Sequence, residues 1–326
     1  MSRLASLLVW GLTIVAASAA LTTDSSLRTN RQVVTYIGHL TAETDKPYAR
    51  FLAAFDITQP GLRRVVQFEY VIAPDDDEAG LADKIKAAAS HRPAVLVAPT
   101  GNTARIARRV AADTPVVFAS FLDPVRSGIA GSMRLPGGHV AGVSLADWLD
   151  GKRLEILRDA FPHVRTVAVL TDKSWAEHYD GEARIVADAR RLGLDATVLY
   201  ADATADVDRI MSAVESLRFD AWYVLPTYVA YLAESNIAAH LRRMGKPSIF
   251  CTTTEVASGG DIGYAQDESF VWSTVAELVA RVVAGEDPGT IPVERPRRYV
   301  LAVRVSPEAR HPPIAPSVVR RADFVY

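Results

Sequence analysis

Cysteine is almost absent from this chain, since Cys251 is the only one among 326 residues. An intrachain disulfide is impossible, and metal sites built on cysteine clusters are excluded. The catalytic motifs Gly-x-Ser-x-Gly and His-Glu-x-x-His do not occur, and the segment 99–102 (PTGN) lacks the Lys-Ser/Thr of a phosphate loop. The seven histidines are scattered without metal-ligand spacing. These absences predict a protein that is not an enzyme and holds no metal ion or cofactor.

An excess of charge of either sign is also lacking. The chain has 36 Lys and Arg against 38 Asp and Glu, a formal net charge of −2. No basic stripe or long block of like charge occurs, so nucleic acid is not an expected partner. The other composition values, 49% hydrophobic and 23% charged residues, are those of a globular protein, and the length predicts two domains.

The one long apolar run covers residues 4–17 and follows the basic Arg3. It is shorter than the roughly 18 apolar residues that a membrane span needs. Ala17-Ser18-Ala19 has the small-x-small form of a signal-peptide cleavage site, and no cysteine follows the run for lipid attachment. We predict a signal peptide over residues 1–20, cleaved near Ala19 or Ala20. The mature protein is then periplasmic and does not insert into the membrane.

Short β-branched runs alternate with amphipathic stretches over most of the remaining chain. This alternation is typical of repeated βαβ units around a parallel sheet, and because it occurs twice it predicts two doubly wound lobes. The first lobe has expected strands over 33–38, 66–72, 94–98 and 116–119 and helices over 47–55, 78–90 and 103–112. The second has expected helices over 148–160, 177–192, 205–217 and 229–244 and strands over 166–170, 196–200, 221–225 and 248–251.

Three later elements have no lobe of their own. They are an expected strand over 261–265, a helix over 270–284 and a strand over 299–305. They should complete the edges of the two lobes, which requires the chain to cross between the lobes several times.

The stretch from Pro115 to Asp147, PVVFASFLDPVRSGIAGSMRLPGGHVAGVSLAD, carries the most information. It predicts a buried strand, an Asp-Pro turn, a short helix, a Pro-Gly-Gly turn and a second strand, which would carry the chain between lobes. Other motifs are GYAQD over 263–267, IPVE over 291–294 and the closing segment 317–323. With these motifs and its export signal, the chain resembles the solute-binding proteins of bacterial ABC importers, in the family that includes the tryptophan/tyrosine-type binding proteins.

The resemblance implies a type I periplasmic binding protein: an α/β fold of two doubly wound parallel-sheet lobes joined by three crossovers. We place the crossovers near Val143, Thr253 and Pro292. The N-terminal lobe then consists of 31–143 and 253–291, and the C-terminal lobe of 144–252 and 292–326. The segment 53–64, without the Gly-rich turn common in this family, and the loop 39–46 depart from the family pattern and leave the solute open.

Ligands of open α/β sheets bind outside the carboxyl ends of the strands, so the residues directly after each strand are the candidates for a site. In the first lobe, Thr100 and Asn102 stand beside the N–H groups of a helix start, which favour a carboxylate. Helix capping is the alternative role for both residues. Phe121 is expected in the cleft wall or, alternatively, in the core.

The candidates of the second lobe are Trp175, Tyr179, Thr227 and Tyr228. Aromatic side chains that converge from loops can hold a planar solute, although each can also line the lobe interface without touching it. Asp267 is the candidate partner of a solute ammonium group, with N-terminal capping as its alternative role. Glu255 and Asp172 are weaker candidates for the same ammonium.

These inferences predict an exported, monomeric protein that closes around a small organic solute, an amino acid or an aromatic carboxylate. The resemblance implies that it delivers the solute to an ABC permease with its ATPase. The alternative is a periplasmic sensor that presents the solute to a signalling partner such as a receptor kinase. Both roles need the same hinge and the same buried solute, so the sequence leaves both open.

Overall fold

The computed structural model describes residues 31–74, 77–173, 175, 181–213, 216–306 and 309–326. The expected signal peptide and Tyr179 lie outside these residues. Two β-sheets organise the described chain, one of five strands and one of seven, each with helices packed against it. The expected α/β fold with two parallel-sheet lobes is confirmed.

The five-stranded sheet belongs to the first lobe. Its strands are β1 (Gln32–Gly38), β2 (Val66–Ile72), β3 (Val95–Ala98), β4 (Val116–Ser120) and β5 (Val140–Ser144). They pair in parallel in the order β2-β1-β3-β4-β5. Helices α1 (Lys46–Thr58), α2 (Glu78–Ser90) and α3 (Gly101–Val110) connect the first four strands, and a 3-10 turn, Leu62–Arg64, precedes β2.

The seven-stranded sheet belongs to the second lobe. Its strands are β6 (Thr166–Thr171), β7 (Asp195–Tyr200), β8 (Ala221–Val224), β9 (Ser248–Phe250), β10 (Ile262–Gln266), β11 (Tyr299–Val303) and β12 (Phe324–Val325), in the order β12-β11-β10-β9-β8-β6-β7. Among the strand pairs of the described residues in this sheet, only β10–β11 is antiparallel. The accompanying helices are α4 (Asp150–Ala160), α5 (Gly181–Arg191), α6 (Thr204–Ser212), α7 (Tyr228–Leu232), α8 (Glu234–Arg243), α9 (Thr254–Ala257), α10 (Glu268–Val283) and α11 (Pro316–Val319), and a 3-10 turn, Pro288–Thr290, follows α10.

Short polar side chains begin the three helices of the first lobe. Asp45, Asp77 and Thr100 occupy the N-cap positions of α1, α2 and α3. Each side chain accepts a hydrogen bond from the backbone N–H three residues further on, at 2.9, 3.1 and 3.2 Å respectively. These bonds satisfy donors that a helix start leaves unpaired, and they fix where each helix begins relative to the strand before it.

Both faces of each sheet are buried, as a doubly wound fold requires. In the first lobe, Tyr36 and Phe51 pack with α10 on one face, and Ile85 and Phe118 pack on the other. The second lobe has a core around Leu157 on one face, and its other face packs against α6 and α8. The carboxyl ends of the strands are thus held rigidly at one edge of each sheet.

Over the part of the chain that the structure describes, the chain passes between the sheets three times. The first passage, over 145–149, connects β5 to α4. The second falls at Gln266–Asp267, because β10 pairs with β9 in the seven-stranded sheet whereas α10 packs against β4 and β5. The third lies over 295–298, because Glu294 still bridges Val143 at the edge of the first sheet.

Two of the expected crossover positions therefore shift. The one placed near Thr253 lies after Gln266, and the one placed near Pro292 lies after Glu294. The segment 253–266 accordingly stays with the second sheet. Pairing of β10 with β9 is a contact between separate strands, and the local pattern around Gly259-Gly260 contains no sign of it.

Most predicted strands and helices agree with the structure to within a few residues, but two predictions inside Pro115–Asp147 and 229–244 need correction. The short helix expected after Asp123-Pro124 is absent, and turns occupy 124–128 instead. Asp123 accepts hydrogen bonds from the N–H groups of Val125 and Arg126 at 2.9 and 3.0 Å, which closes a turn rather than a helix. The single helix expected over 229–244 is divided at Ala233 into α7 and α8.

No helix within the described ranges is both long and apolar enough to span a membrane.

Candidate functional site

A cavity of about 520 Å³ lies where the carboxyl ends of the strands of both sheets meet. Much of its lining comes from residues at the carboxyl ends of β1, β3, β4 and β5 in the first lobe and of β6, β7, β8, β9 and β10 in the second. The volume falls in the range of sites that enclose small organic molecules. The position is the one that open α/β sheets use for ligands.

The start of α3 forms part of the first-lobe wall. Thr100, Gly101 and Asn102 all line the cavity. The Thr100 hydroxyl caps α3, and the Asn102 side-chain oxygen accepts a hydrogen bond from Arg105 at 2.6 Å. A Cβ atom at Gly101 would lie 2.5 Å from the Ser120 hydroxyl oxygen, so only glycine lets this turn approach the end of β4. The capping role of Thr100 is present, and its hydroxyl borders the cavity as well.

His39 joins the two lobes across the cavity. Its Nδ1 lies 2.8 Å from the backbone oxygen of Ala73, and its Nε2 lies 3.4 Å from the Thr103 hydroxyl oxygen. The ring stands edge-on against that of Tyr228, with 5.2 Å between the centroids. His39 belongs to the first lobe and Tyr228 begins α7 of the second. Polar contacts at both ring nitrogens therefore fix the orientation of this buried histidine, and its ring contacts Tyr228 of the opposite lobe.

Aromatic and apolar side chains form much of the wall. Phe121 and Trp272 contribute from the first-lobe side, and Trp175, Tyr228 and Tyr231 from the second. Faces and edges of such rings favour contact with planar or apolar groups. A solute with an aromatic or large apolar part is the kind that this wall fits.

Part of the cavity lining is a group of three neighbouring carboxylates, Glu234, Glu255 and Glu268. Lys46 and Arg50, both on α1, form ion pairs with Glu234 and Glu268 respectively. The Glu268 carboxylate also accepts a hydrogen bond from the Thr254 hydroxyl at 3.1 Å. Two of the three carboxylates are thus ion-paired with cations of the first lobe.

Glu255 differs from its two neighbours. Its side chain is buried, the Thr252 hydroxyl donates a hydrogen bond to it, and no ion pair within the described part of the chain includes it. Burial is the largest of several effects that together raise the pKa of Glu255 from 4.5 to about 7: the hydrogen bond from Thr252 lowers it, and the nearby charges of Glu234 and Glu268 raise it. The cavity wall therefore contains a carboxyl group that titrates near neutral pH.

A buried network beside the cavity ties together two of the passages between the sheets. Arg153 on α4 forms a two-fold pair with Asp147, with both N–O distances 2.9 Å, and donates to the Tyr264 backbone oxygen at 2.9 Å. The Gln266 amide donates to the same Asp147 carboxylate at 2.7 Å and to the Leu145 backbone oxygen at 2.8 Å. The passages at 145–149 and 266–267 are thereby locked to each other.

Six of the eight residues predicted for the site line the cavity: Thr100, Asn102, Phe121, Trp175, Thr227 and Tyr228. Their contact with a solute stays a prediction. Tyr179 lies outside the described residues. The Thr227 hydroxyl also caps α7, accepting a hydrogen bond from the Ala230 N–H at 3.2 Å.

Asp267 requires a correction, because it does not line the cavity although Gln266 and Glu268 on either side of it do. Its carboxylate accepts hydrogen bonds from the Ser269 N–H at 3.1 Å and the Ser269 hydroxyl at 2.6 Å, and it lies 3.5 Å from Arg298. Asp267 is therefore the cap of α10, the alternative that the sequence left open. Its carboxylate is occupied by the start of its own helix and by Arg298.

Sequence reasoning did not single out His39, Lys46, Arg50 or Glu234. His39 could have been predicted from the sequence, because it directly follows β1 as the other candidates follow their strands. Lys46 and Glu234 lie at helix starts and become neighbours only when the two lobes face each other, a relation that no local pattern contains.

The fold and the cavity define the class of this molecule: two α/β lobes with a solute-sized cavity between them, a type I periplasmic binding protein. A family model described as ABC transporter substrate binding protein matches residues 59–306. The match covers most of the chain, and the chain belongs to this family of solute-binding proteins, which is not a family of enzymes. The resemblance noted from the sequence is confirmed.

Three known proteins illustrate the likeness. A tyrosine-binding protein of Clostridioides difficile (strain R20291) is 25% identical over 198 residues, which covers 59% of this chain and 55% of the relative. The chain thus spans about half the length of that relative. A conserved domain protein from Vibrio cholerae has a TM-score of 0.79 at 19% identity, covering 91% of this chain and 100% of its own. A domain from Streptococcus pneumoniae in complex with L-Trp has a TM-score of 0.75 at 17% identity, covering 90% and 99%. At these identities the two structures show the fold.

Proposed function

We propose that this protein is the exported solute-binding component of an ABC importer. It captures a small organic solute, an amino acid or an aromatic carboxylate, between its lobes and delivers it to a permease with its ATPase. The observation that carries the proposal is the cavity of about 520 Å³ with walls from both lobes. Family membership supports the transport role, and the tyrosine-binding relative and the L-Trp complex support an amino acid.

The walls divide into parts that match the parts of such a solute. The start of α3 offers backbone N–H groups and the positive end of a ten-residue helix to a carboxylate. Phe121, Trp175 and Tyr228 offer ring surfaces to a planar or apolar side chain. Because these parts belong to different lobes, a solute that satisfies all of them favours the closed arrangement over an open one.

Closure also forms contacts between the lobes themselves. The rings of His39 and Tyr228 meet across the cavity, and Lys46 pairs with Glu234. Such contacts let the closed form present a single surface to a membrane partner, which an open form would not. Transport of the captured solute follows from recognition of that surface by the permease.

Solute capture is tested by thermal unfolding of the mature protein, refolded to remove carried-over solute, against amino acids, aromatic acids, purines, sugars and short peptides. A ligand at about 100 times its Kd stabilises the folded state by about 2.7 kcal/mol, which raises Tm by several degrees. Isothermal titration calorimetry then gives Kd for each hit. A shift with amino acids or aromatic acids is expected, and shifts with sugars alone would overturn the proposed solute class.

Delivery is tested separately with an ABC permease and its ATPase from the same organism. The solute-loaded protein should stimulate ATP hydrolysis by the reconstituted transporter, and the solute-free protein should stimulate it less. Loaded protein without effect there, combined with activation of a neighbouring receptor kinase, would favour the sensor instead. Fractionation and determination of the mature N-terminus check export, with residues 1–20 expected to be absent.

A further inference from the structure

Of three neighbouring carboxylates in the cavity lining, two form ion pairs within the described residues and the third does not. Glu234, Glu255 and Glu268 line the cavity, and the two cations of α1, Lys46 and Arg50, pair with Glu234 and Glu268. The hydrogen-bond donors of the Glu255 carboxyl group are uncharged, the Thr252 hydroxyl and a backbone N–H. Within this group of three, the described residues supply a pairing cation for Glu234 and for Glu268 but none for Glu255.

We infer that Glu255 pairs with a protonated amine of the solute and so selects amine-bearing solutes over the corresponding simple acids. The inference rests on the proposed function, because it assigns a role within the same cavity. It replaces Asp267, which caps α10 and lies outside the cavity lining.

Burial is the first reason for this assignment. Glu255 is only 9% exposed. A carboxylate in such a place is costly when ionised unless a cation reaches it. Within the described chain that cation is not supplied, whereas an ammonium group held in the cavity would be close to the carboxylate and largely shielded from water.

The surroundings of Glu255 are the second reason. The charged groups that face it are Glu234 from the start of α8 and Glu268 from the start of α10, each with its own cation from α1. Both neighbours favour the arrival of positive charge, because their negative charges raise the pKa of Glu255 together with burial. A solute carboxylate would be repelled here, so the solute is oriented with its amine towards Glu255 and its acid group towards α3.

Matched solutes test this directly. Calorimetry would compare L-tryptophan with indole-3-propionate and L-tyrosine with 3-(4-hydroxyphenyl)propionate, which differ only in the amine. The wild-type protein should bind each amino acid at least about tenfold more tightly than its deaminated analogue. In Glu255→Gln this preference should fall to within about threefold, mainly through weaker binding of the amino acid.

Asp267→Asn serves as the matched control, since it also removes one carboxylate, at the start of α10 and outside the cavity lining. It should leave the preference unchanged. An equal loss of affinity for both members of a pair in Glu255→Gln, or a lost preference in Asp267→Asn, would overturn the assignment. Circular dichroism and Tm of each variant establish that it is folded.

The pH dependence of Kd provides a second test of the inference. If binding requires the ionised carboxyl group and its pKa is about 7, about one molecule in eleven is competent at pH 6, and the apparent Kd for an amino acid should be about tenfold weaker than at pH 8. The deaminated analogue should show no such weakening, and Glu255→Gln should show little pH dependence for either. A pH-independent Kd for the amino acid in the wild-type protein would contradict the inference.

The outcomes also separate this inference from the proposed function. Binding of the deaminated acids alone would overturn the role of Glu255 and leave solute capture standing. Binding of neither member of either pair, by a protein that gives a thermal shift with another solute class, would overturn both the amine selection and the proposed class of solute.

Discussion

Lys46 and Glu234 form an ion pair that spans the cavity between the two lobes. Lys46 is at the start of α1 in the first lobe, and Glu234 begins α8 in the second. The Glu234 side chain is 8% exposed, whereas that of Lys46 is 48% exposed. The buried partner is therefore Glu234. When the lobes separate, its carboxylate loses the charge of Lys46 and must be solvated by water instead.

Replacement of Lys46 by Met should weaken solute binding by about tenfold, or about 1–2 kcal/mol, because closure would then leave the Glu234 carboxylate buried without a cation. Calorimetric Kd values measure the effect. Lys152→Met is the control, since Lys152 forms an exposed pair with Glu155 at 3.0 Å within α4, and it should change Kd by less than about twofold. Equal Kd values for Lys46→Met and the wild-type protein would mean that the pair does not contribute to closure.

Glu255 should make the solute-free protein less stable as pH rises. The pKa of this carboxyl group is raised by burial from 4.5 to about 7, so the folded state binds more protons than the unfolded state between these values. Its contribution to stability is present below pH 4.5 and is lost as pH rises through 7, by about 3 kcal/mol at most. Glu255→Gln should therefore match the wild-type protein at pH 4.5 and exceed its free energy of unfolding at pH 8.

Urea unfolding at pH 4.5, 6 and 8 measures this difference. Glu286→Gln is the comparison, because Arg281 lowers the pKa of the exposed Glu286. This control should show no gain in stability at pH 8. A Glu255→Gln protein that is less stable than the wild type at pH 8 would contradict the expected direction.

The fold was accessible from the sequence because its elements are locally encoded. Predicted and observed bounds coincide for β2 and α2, where an alternating strand and an Asp-capped helix have strong local signals. The position of β10 was not accessible in the same way, because its place in the seven-stranded sheet depends on pairing with β9 and β11. The crossover after Gln266 was misplaced for that reason.

The site shows the same division between local and non-local information. Thr100, Phe121 and Tyr228 were predicted because each follows a strand whose carboxyl end faces the cavity. Asp267 was misassigned because capping and solute binding require the same residue type at the same place in a motif. Whether such a carboxylate faces its helix or the cavity depends on side-chain direction, which the sequence pattern does not contain.

Trp175 should contribute to aromatic solutes more than to aliphatic ones. It lines the cavity and packs partly against the core of the second lobe. Trp175→Ala should weaken binding of an aromatic amino acid by about tenfold through lost ring contact and lost apolar burial, and should weaken binding of an aliphatic one less. Tyr326→Ala is the control, because Tyr326 is 47% exposed and its ring contacts Arg304 outside the cavity lining. Unchanged Kd for the aromatic solute in Trp175→Ala would remove this residue from the site.

Arg153 should be required for the stability of the passages between the lobes. Its guanidinium group is 3% exposed and pairs with Asp147. Asp147 also receives the Gln266 amide, so one carboxylate connects the passage after β5 with the passage after β10. Arg153→Met would leave that buried carboxylate without its cation, which costs about 3–5 kcal/mol. Arg153→Lys should restore only part of the loss, because an ammonium group cannot donate two parallel bonds to Asp147 and a third to the Tyr264 oxygen in the same geometry.

Urea unfolding of the two Arg153 variants tests this expectation, with Arg158→Met on the same helix as control. Arg158 pairs with Asp159 at the surface, at 2.9 Å and with 37% of its side chain exposed, so its loss should cost less than about 1 kcal/mol. A similar small cost for Arg153→Met would mean that the passages are held by packing alone. Arg153 is absent from the lining of the 520 Å³ cavity. A large loss of stability in Arg153→Met, with unchanged solute affinity of the folded protein, would therefore mean that the network around Asp147 stabilises the passages between the lobes and does not contribute to solute binding.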